Sequence, residues 1–269
     1  MAVYFQESGN KAAATIVFIH GGGVSSWIWK EQLDYFKDYH CLTIDLPGHG
    51  KSIDAGQISI RESAYQIAEL IEKHANGKKA HLVGHSLGAK VIVELLSFKP
   101  ELVVHAIVAS ALFRQIPLIK LSHRHFVYKF ITNLLKLKWI TSLSVKQYNF
   151  PDKTYNDNYL KELQGLTADM LYSIYDELYQ NLSLPKGLEI ANVPTLLIAG
   201  EKEPKAMRKS VVDILNIMPN AKGVLIKKGL HTYPWVMHDK FNKIVEEWIN
   251  DKQIENEFVI NVDLPIAEE

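Results

Sequence analysis

A single cysteine, Cys41, stands in 269 residues, so no intramolecular disulfide can form and nothing requires an oxidising compartment. Cys41 opens an apolar run and reads as a packing residue. Net charge is missing as well: 30 Lys and Arg balance 30 Asp and Glu. That balance gives no long-range pull toward nucleic acid or an anionic membrane. The expectation is a substrate found by shape and apolar contact, with no nucleic-acid partner and no stable membrane association. No clean apolar run of spanning length occurs: the stretch 116–139 is broken by Lys120, Arg124, Lys129, Lys136 and Lys138. The first ten residues lack the basic-then-apolar order of a secretory signal, so a cytoplasmic location is expected.

Two further absences remove cofactor classes. His123-Arg124-His125 could suggest a metal, but the nearby sequence offers no carboxylate or cysteine partner, and a solvated helix face is expected there. Gly50-Lys51-Ser52 resembles the end of a phosphate-binding loop, but position 45 holds Asp45 where that motif needs glycine. Repeats and low-complexity segments are also lacking.

What is present is a chain that is 47% apolar, enough for the core of one large domain. Short β-branched runs at 15–19, 41–46, 80–83, 104–109, 195–199 and 223–226 read as strands. Helical patterns lie between them. Ser59-Ile60-Arg61-Glu62 is a capping box ahead of Ala64, Ile67, Ala68 and Ile71 at helical spacing. A helix over 87–98 is limited by Pro100, and one over 239–249 carries Phe241, Ile244, Val245 and Trp248 on one face. Alternation of this kind predicts an α/β fold, a mostly parallel sheet with helices on both faces.

The alternation stops between 112 and 186. That stretch has helical patterns only, and it holds seven of the chain's 12 tyrosines: Tyr128, Tyr148, Tyr155, Tyr159, Tyr172, Tyr175 and Tyr179. It is expected to form a helical cap over the strand ends, with most tyrosines in its own core and a few lining the pocket. The resulting division is a core of 1–111 and 187–253, a cap of 112–186, and a tail of 254–269. The tail is expected either to be disordered or to add a strand to a sheet edge.

Gly84-His85-Ser86-Leu87-Gly88 follows one strand and opens a helix, the setting in which G-x-S-x-G holds a serine on a sharp turn. A serine hydroxyl needs a base within reach, an acid to orient that base and donors for the oxyanion. The base candidate is His231, in the loop Gly229-Leu230-His231-Thr232, with His238 as its nearest rival. The acid candidate is Glu203, in Gly200-Glu201-Lys202-Glu203-Pro204, with Glu201 as the alternative. The order serine, acid, histidine fits. Backbone N–H groups of Leu87 and Gly22, or Gly23 in place of Gly22, are the candidate oxyanion donors. His20 reads as structural. His85 is a candidate substrate contact equally open to a packing role, and Trp27, which with Trp29 reads mostly as core or pocket wall, is a second candidate contact.

These segments, with the His20-Gly21-Gly22-Gly23 loop and the Asp45-Leu46-Pro47-Gly48-His49-Gly50-Lys51-Ser52 turn, resemble the α/β-hydrolase superfamily over about residues 12–250. The resemblance implies an eight-stranded, mostly parallel sheet, a helical cap, a Ser–His–acid triad and no cofactor. Members usually carry Asp where Glu203 stands. The acid site used by other members reads Ala109-Ser110-Ala111 here and offers no carboxylate. Ser86 at the elbow argues against branches with a carboxylate nucleophile. The expected activity is hydrolysis of a small or medium carboxylic ester through an acyl-enzyme. Cleavage of a thioester, lactone, amide or carbon–carbon bond, perhydrolysis, and a ligand sensor with a vestigial triad are the alternatives. The oligomeric state is left open.

Overall fold

A computed structural model describes residues 3–116, 123–148 and 150–262. Apolar, β-branched runs form the interior strands β2 (Thr15–Ile19), β3 (His40–Ile44), β4 (Ala80–His85), β5 (Val103–Ala109), β6 (Thr195–Gly200) and β7 (Ala221–Ile226). Edge strands β1 (Phe5–Gly9) and β8 (Val259–Val262) complete one eight-stranded sheet, ordered β1-β3-β2-β4-β5-β6-β7-β8. Only the β1–β3 and β7–β8 pairings are antiparallel.

Strands buried on both faces are rich in apolar side chains; β2 is apolar after Thr15, and β4 is buried throughout although it carries His81 and His85. The strand period then sorts the core. Val17, Ile19 and Leu82 join the layer beneath one set of helices, while Ile16, Phe18 and Val83 join the other. The first layer is covered by α2 (Ile60–His74) and α3 (Leu87–Leu96), the second by α1 (Lys30–Tyr35) and the closing helix 238–249. The Ser59 half of the predicted capping box is present: Ser59 Oγ accepts from the Glu62 N–H at 3.3 Å.

Both edge strands lie outside the runs read as strands. In β1, Phe-Gln-Glu-Ser-Gly carries one large apolar residue, and its pairing comes from the partner strand, Phe5 opposite Ile44. For the tail, the structure takes the edge-strand alternative as far as Val262, with Gly223 opposite Val262 and Ile226 opposite Val259. Residues 263–269 lie outside the described residues.

Among the described residues of 112–186 there are only helices: α4 (His125–Leu135), α5 (Lys138–Tyr148), α6 (Lys153–Gly165) and α7 (Ala168–Gln180). The core then resumes with α8 (Lys205–Leu215), the short α9 (Tyr233–Val236) and the closing α10 (His238–Ile249). The expectation of a solvated, carboxylate-free His123–His125 face needs correction. His123 Nε2 lies 3.1 Å from Asp176 and His125 Nε2 2.6 Å from Asp169, both acids supplied by α7. Sequence distance hid them. No cluster of three metal-ligating side chains occurs among the described residues.

Candidate active site

Ser86 sits between β4 and α3 with φ 53° and ψ −109°, a backbone conformation that costs about 1–3 kcal/mol. The surrounding backbone enforces it. The Ser86 N–H donates to Ala109 O at 2.8 Å, and the Gly88 N–H to His20 O at 3.1 Å. A Cβ on Gly88 would lie 2.3 Å from Ile19 O, and one on Gly84 2.6 Å from Gly88 O. Strand, turn and helix therefore meet backbone to backbone, and only glycine fits at either position. The turn leaves the Ser86 side chain half-buried at the carboxyl end of β4.

The loops after β6 and β7 form a second assembly. Lys202 N–H donates to Gly229 O at 2.9 Å, and Glu201 N–H to Ile226 O at 3.0 Å, which locks the two loops together. His231 Nδ1 lies 2.5 Å from Glu203 Oε1. The Glu203 side chain is fully buried, and its other oxygen accepts from the Gly200 N–H at 2.7 Å and the Ser110 hydroxyl at 2.9 Å. Tyr233 Oη stands 3.2 Å from Ser110 Oγ and donates to Ile198 O at 3.4 Å. Burial, with the Glu203 carboxylate nearby, pushes the Tyr233 phenol well above its ordinary value, so it stays a neutral donor. With Nδ1 donating to Glu203, His231 keeps the lone pair on Nε2.

The rivals are placed elsewhere. Glu201 accepts from the Lys228 N–H at 2.7 Å. His238 opens α10 and pairs with its neighbour Asp239 at 3.2 Å. His20 is buried and bridges two loops, with Nδ1 2.7 Å from Gly21 O and Nε2 accepting from the Leu46 N–H at 2.9 Å. Burial lowers its pKa, so it holds those loops as the neutral ring.

His85 is 2% exposed and lies behind His231, its ring centroid 4.5 Å from the His231 ring and 5.3 Å from Trp235. Its Nε2 donates to the His231 carbonyl at 3.0 Å. Burial holds it well below the ordinary histidine value, so it is a neutral prop for the His231 loop.

Leu87 is the first residue of α3, and Gly22 lies across from it. A Cβ on Gly22 would sit 3.8 Å from Leu87 Cδ2 and only 2.7 Å from Ile174 Cγ2, so α7 stands directly over the glycine loop. Gly23, at φ 79°, has open space where a side chain would be. Beside it lies a cavity of about 640 Å³ between the glycine loop, the 45–51 turn and helices α6 and α7. Trp27 lines this cavity; Ser86 and His231 do not, and Ile174 stands between. The insertion contributes Asn158, Glu162, Leu166 and Met170 to this cavity, and its tyrosines do not line it.

Glu162 carries no sequence signal, and Asp45 is marked only as the first residue of the 45–52 turn. Glu162, on α6, accepts from the Ser25 hydroxyl, and burial pushes its carboxyl up to about 7. Asp45 accepts from the Ser26 N–H and the Lys51 N–H, both at 2.8 Å, and ties the glycine loop to the turn.

A strained serine at a strand–helix elbow, with a histidine–carboxylate pair on the loops after β6 and β7, is an arrangement with a family. The profile of the alpha/beta hydrolase family matches residues 16–244. The chain belongs to the alpha/beta hydrolase family. A similar AB hydrolase superfamily protein of Gibberella zeae is 35% identical over 110 residues, which cover 39% of this chain and 38% of that one. The pimeloyl-[acyl-carrier protein] methyl ester esterase of Wigglesworthia glossinidia brevipalpis is 27% identical and covers 93% of this chain and 98% of its own. Among solved structures, an alpha/beta hydrolase enzyme from a Medee basin deep-sea metagenome library superimposes with a TM-score of 0.75 at 17% identity, over 95% of this chain and 96% of that one. That last likeness speaks to the fold alone. The alpha/beta hydrolase core accounts for the sheet and for the loops at its carboxyl edge, where open α/β sheets bind ligands.

Proposed function

We propose that this alpha/beta hydrolase is a serine esterase acting on a small or medium carboxylic ester, with residues 112–186 as a cap over the site. The observation that carries the reading is the His231–Glu203 pair, with an inter-residue distance of 2.5 Å, on loops at the strand ends where Ser86 stands in its strained turn. Ser86 Oγ attacks the ester carbonyl carbon and His231 Nε2 takes its proton. Glu203 stabilises the imidazolium that forms. The N–H groups of Leu87 and Gly22 receive the oxyanion, aided by the positive end of α3. The C–O bond to the alcohol breaks, and His231 returns the proton to the leaving oxygen. Water then attacks the acyl-enzyme by the same route and releases the acid.

The cavity beside Gly23 has the size of a small-molecule pocket, and Ile174 separates it from the oxyanion donors. Trp27 forms part of its wall. For the acyl or alcohol part of a substrate held at Ser86 to enter it, the Ile174 side chain must swing aside.

The test is hydrolysis of p-nitrophenyl esters of increasing acyl length by wild type and Ser86→Ala. Ser86→Ala is expected to lose at least 10³-fold in kcat, since removing a triad member leaves only oxyanion and binding contributions. Retention of wild-type rates by Ser86→Ala would falsify the mechanism. A folded wild type inert to every ester but active on thioesters or amides would move the scissile bond and keep the triad.

A further inference from the structure

Charge is not spread evenly over the chain. From Leu102 to Pro151 there is no Asp or Glu, while Arg114, Lys120, Arg124, Lys129, Lys136, Lys138 and Lys146 fall within it. The same region exposes large apolar side chains. On α4, Phe126 is 72% and Phe130 64% exposed; after it, Trp139 is 65% exposed, with Leu137 and Leu143 also open.

These exposures follow helix geometry. α4 turns Tyr128 and Thr132 inward, which leaves Phe126 and Phe130, four residues apart, on the opposite face with Lys129 beside them. On α5, Trp139 and Leu143 repeat the spacing, and exposed Lys146 follows one turn on. Each helix thus presents an outward apolar stripe edged by lysine. No helix among the described residues is long and apolar enough to cross a membrane, so the stripes suit a surface rather than a span.

We propose that the outer faces of α4 and α5 dock on an anionic lipid bilayer. An amphipathic helix lies in the interface with aromatic side chains among the acyl chains and lysines at the headgroups. Each Lys or Arg near an anionic surface strengthens the attraction. An acidic protein would satisfy the lysines but would need apolar pockets matched to each ring. A bilayer offers both chemistries with no shape requirement. The charge sign, the absence of any acid in the segment and an exposed Trp all point to the same occupant. Docking would also act near the site, because α4 packs on α7 through Tyr128, whose ring lies 5.6 Å from that of Tyr175, and α7 carries Ile174 over Gly22. The proposal stands independently of the serine chemistry.

The experiment is co-flotation of the full chain with phosphatidylcholine vesicles, with and without phosphatidylglycerol. Binding is expected only with phosphatidylglycerol, weakening as salt rises. Phe126→Ser with Phe130→Ser, and separately Lys129→Glu with Lys136→Glu, are each expected to weaken it at least tenfold with unchanged circular dichroism and Tm. All four side chains are solvent-exposed, so folding is not at stake. No flotation, equal binding to both vesicle types, or binding unaffected by both variants would overturn the proposal. So would light scattering that shows a wild-type dimer converted to a monomer by Phe126→Ser with Phe130→Ser, since a second copy would then be the occupant.

Discussion

Glu203 uses the methylene that distinguishes it from aspartate. Its side chain rises from the loop after β6 with one oxygen on His231 and the other on Gly200 N–H and Ser110 Oγ, so both ends of the carboxylate are committed. Glu203→Gln keeps the shape but removes the charge, and its amide can turn an N–H toward Nδ1 and force the wrong tautomer. The expected loss is about 10³–10⁴ in kcat with little change in KM. Ser110→Ala removes one of three contacts to the carboxylate and is expected to cost about tenfold, near 1.4 kcal/mol. Steady-state kinetics on the preferred ester check both, and a Glu203→Gln enzyme as active as wild type would remove Glu203 from the mechanism. Ser86, Glu203 and His231 could be nominated from sequence because glycine-flanked loops after β-branched runs mark strand ends. Ser110 could not. It was read only for the carboxylate it lacks, and its contact with Glu203 spans 93 residues.

Helix α3 does more than present Ser86. Four residues along, Lys90 is 1% exposed, and its Nζ donates to Leu112 O at 2.9 Å, Leu178 O at 3.1 Å and Asn181 O at 2.5 Å. Leu178 and Asn181 belong to the carboxyl end of α7, where a cation is favoured. One side chain of the core thus fastens the helix that stands over Gly22. Burial lowers the Lys90 pKa to about 7, against a partial pull upward from Glu177. Between about pH 7 and 10.5 the unfolded chain therefore holds more protons at this position than the folded one, and stability rises with pH across that window. Lys90→Met removes both the three bonds and the linkage. Urea denaturation of wild type and variant should show a gap that widens on going from neutral to alkaline pH, by up to ~1.4 kcal/mol per pH unit. A gap independent of pH would mean that Lys90 is not titrating in this window. The sequence reading passed over Lys90, since a lysine inside a helical pattern ordinarily lies on the solvent face. Strongly periodic α2 and α10 were legible because their apolar stripes are local; the meeting of α3 with α7 depends on packing that spacing does not encode.

Zero net charge is an average, and averaging hides what α4 and α5 expose. It carries the expectation of no stable membrane association, which the proposed docking of α4 and α5 sets against the local composition of the acid-free stretch between Glu101 and Asp152. The sheet edges have a similar history. Interior strands announce themselves because both faces are buried, but β1 and β8 are half-exposed and take their register from β3 and β7. β8 closes the molecule: Lys227 N–H donates to Phe258 O at 2.9 Å, and Phe258 and Val259 pack against the layer that holds Trp248. Without β8, the N–H and C=O groups of β7 become an open edge, a template for pairing with another chain. Truncation after residue 253 is therefore expected to cost about 2 kcal/mol, or ~4–8 °C in Tm, from lost ladder bonds and apolar burial. It should also promote concentration-dependent association, while kcat of the remaining monomer stays near wild type because Ser86, Glu203 and His231 lie on other loops. Thermal denaturation with parallel light scattering is the check. An unchanged Tm in a monodisperse truncated protein would show that β8 is dispensable and that the sheet is closed, in effect, by β7.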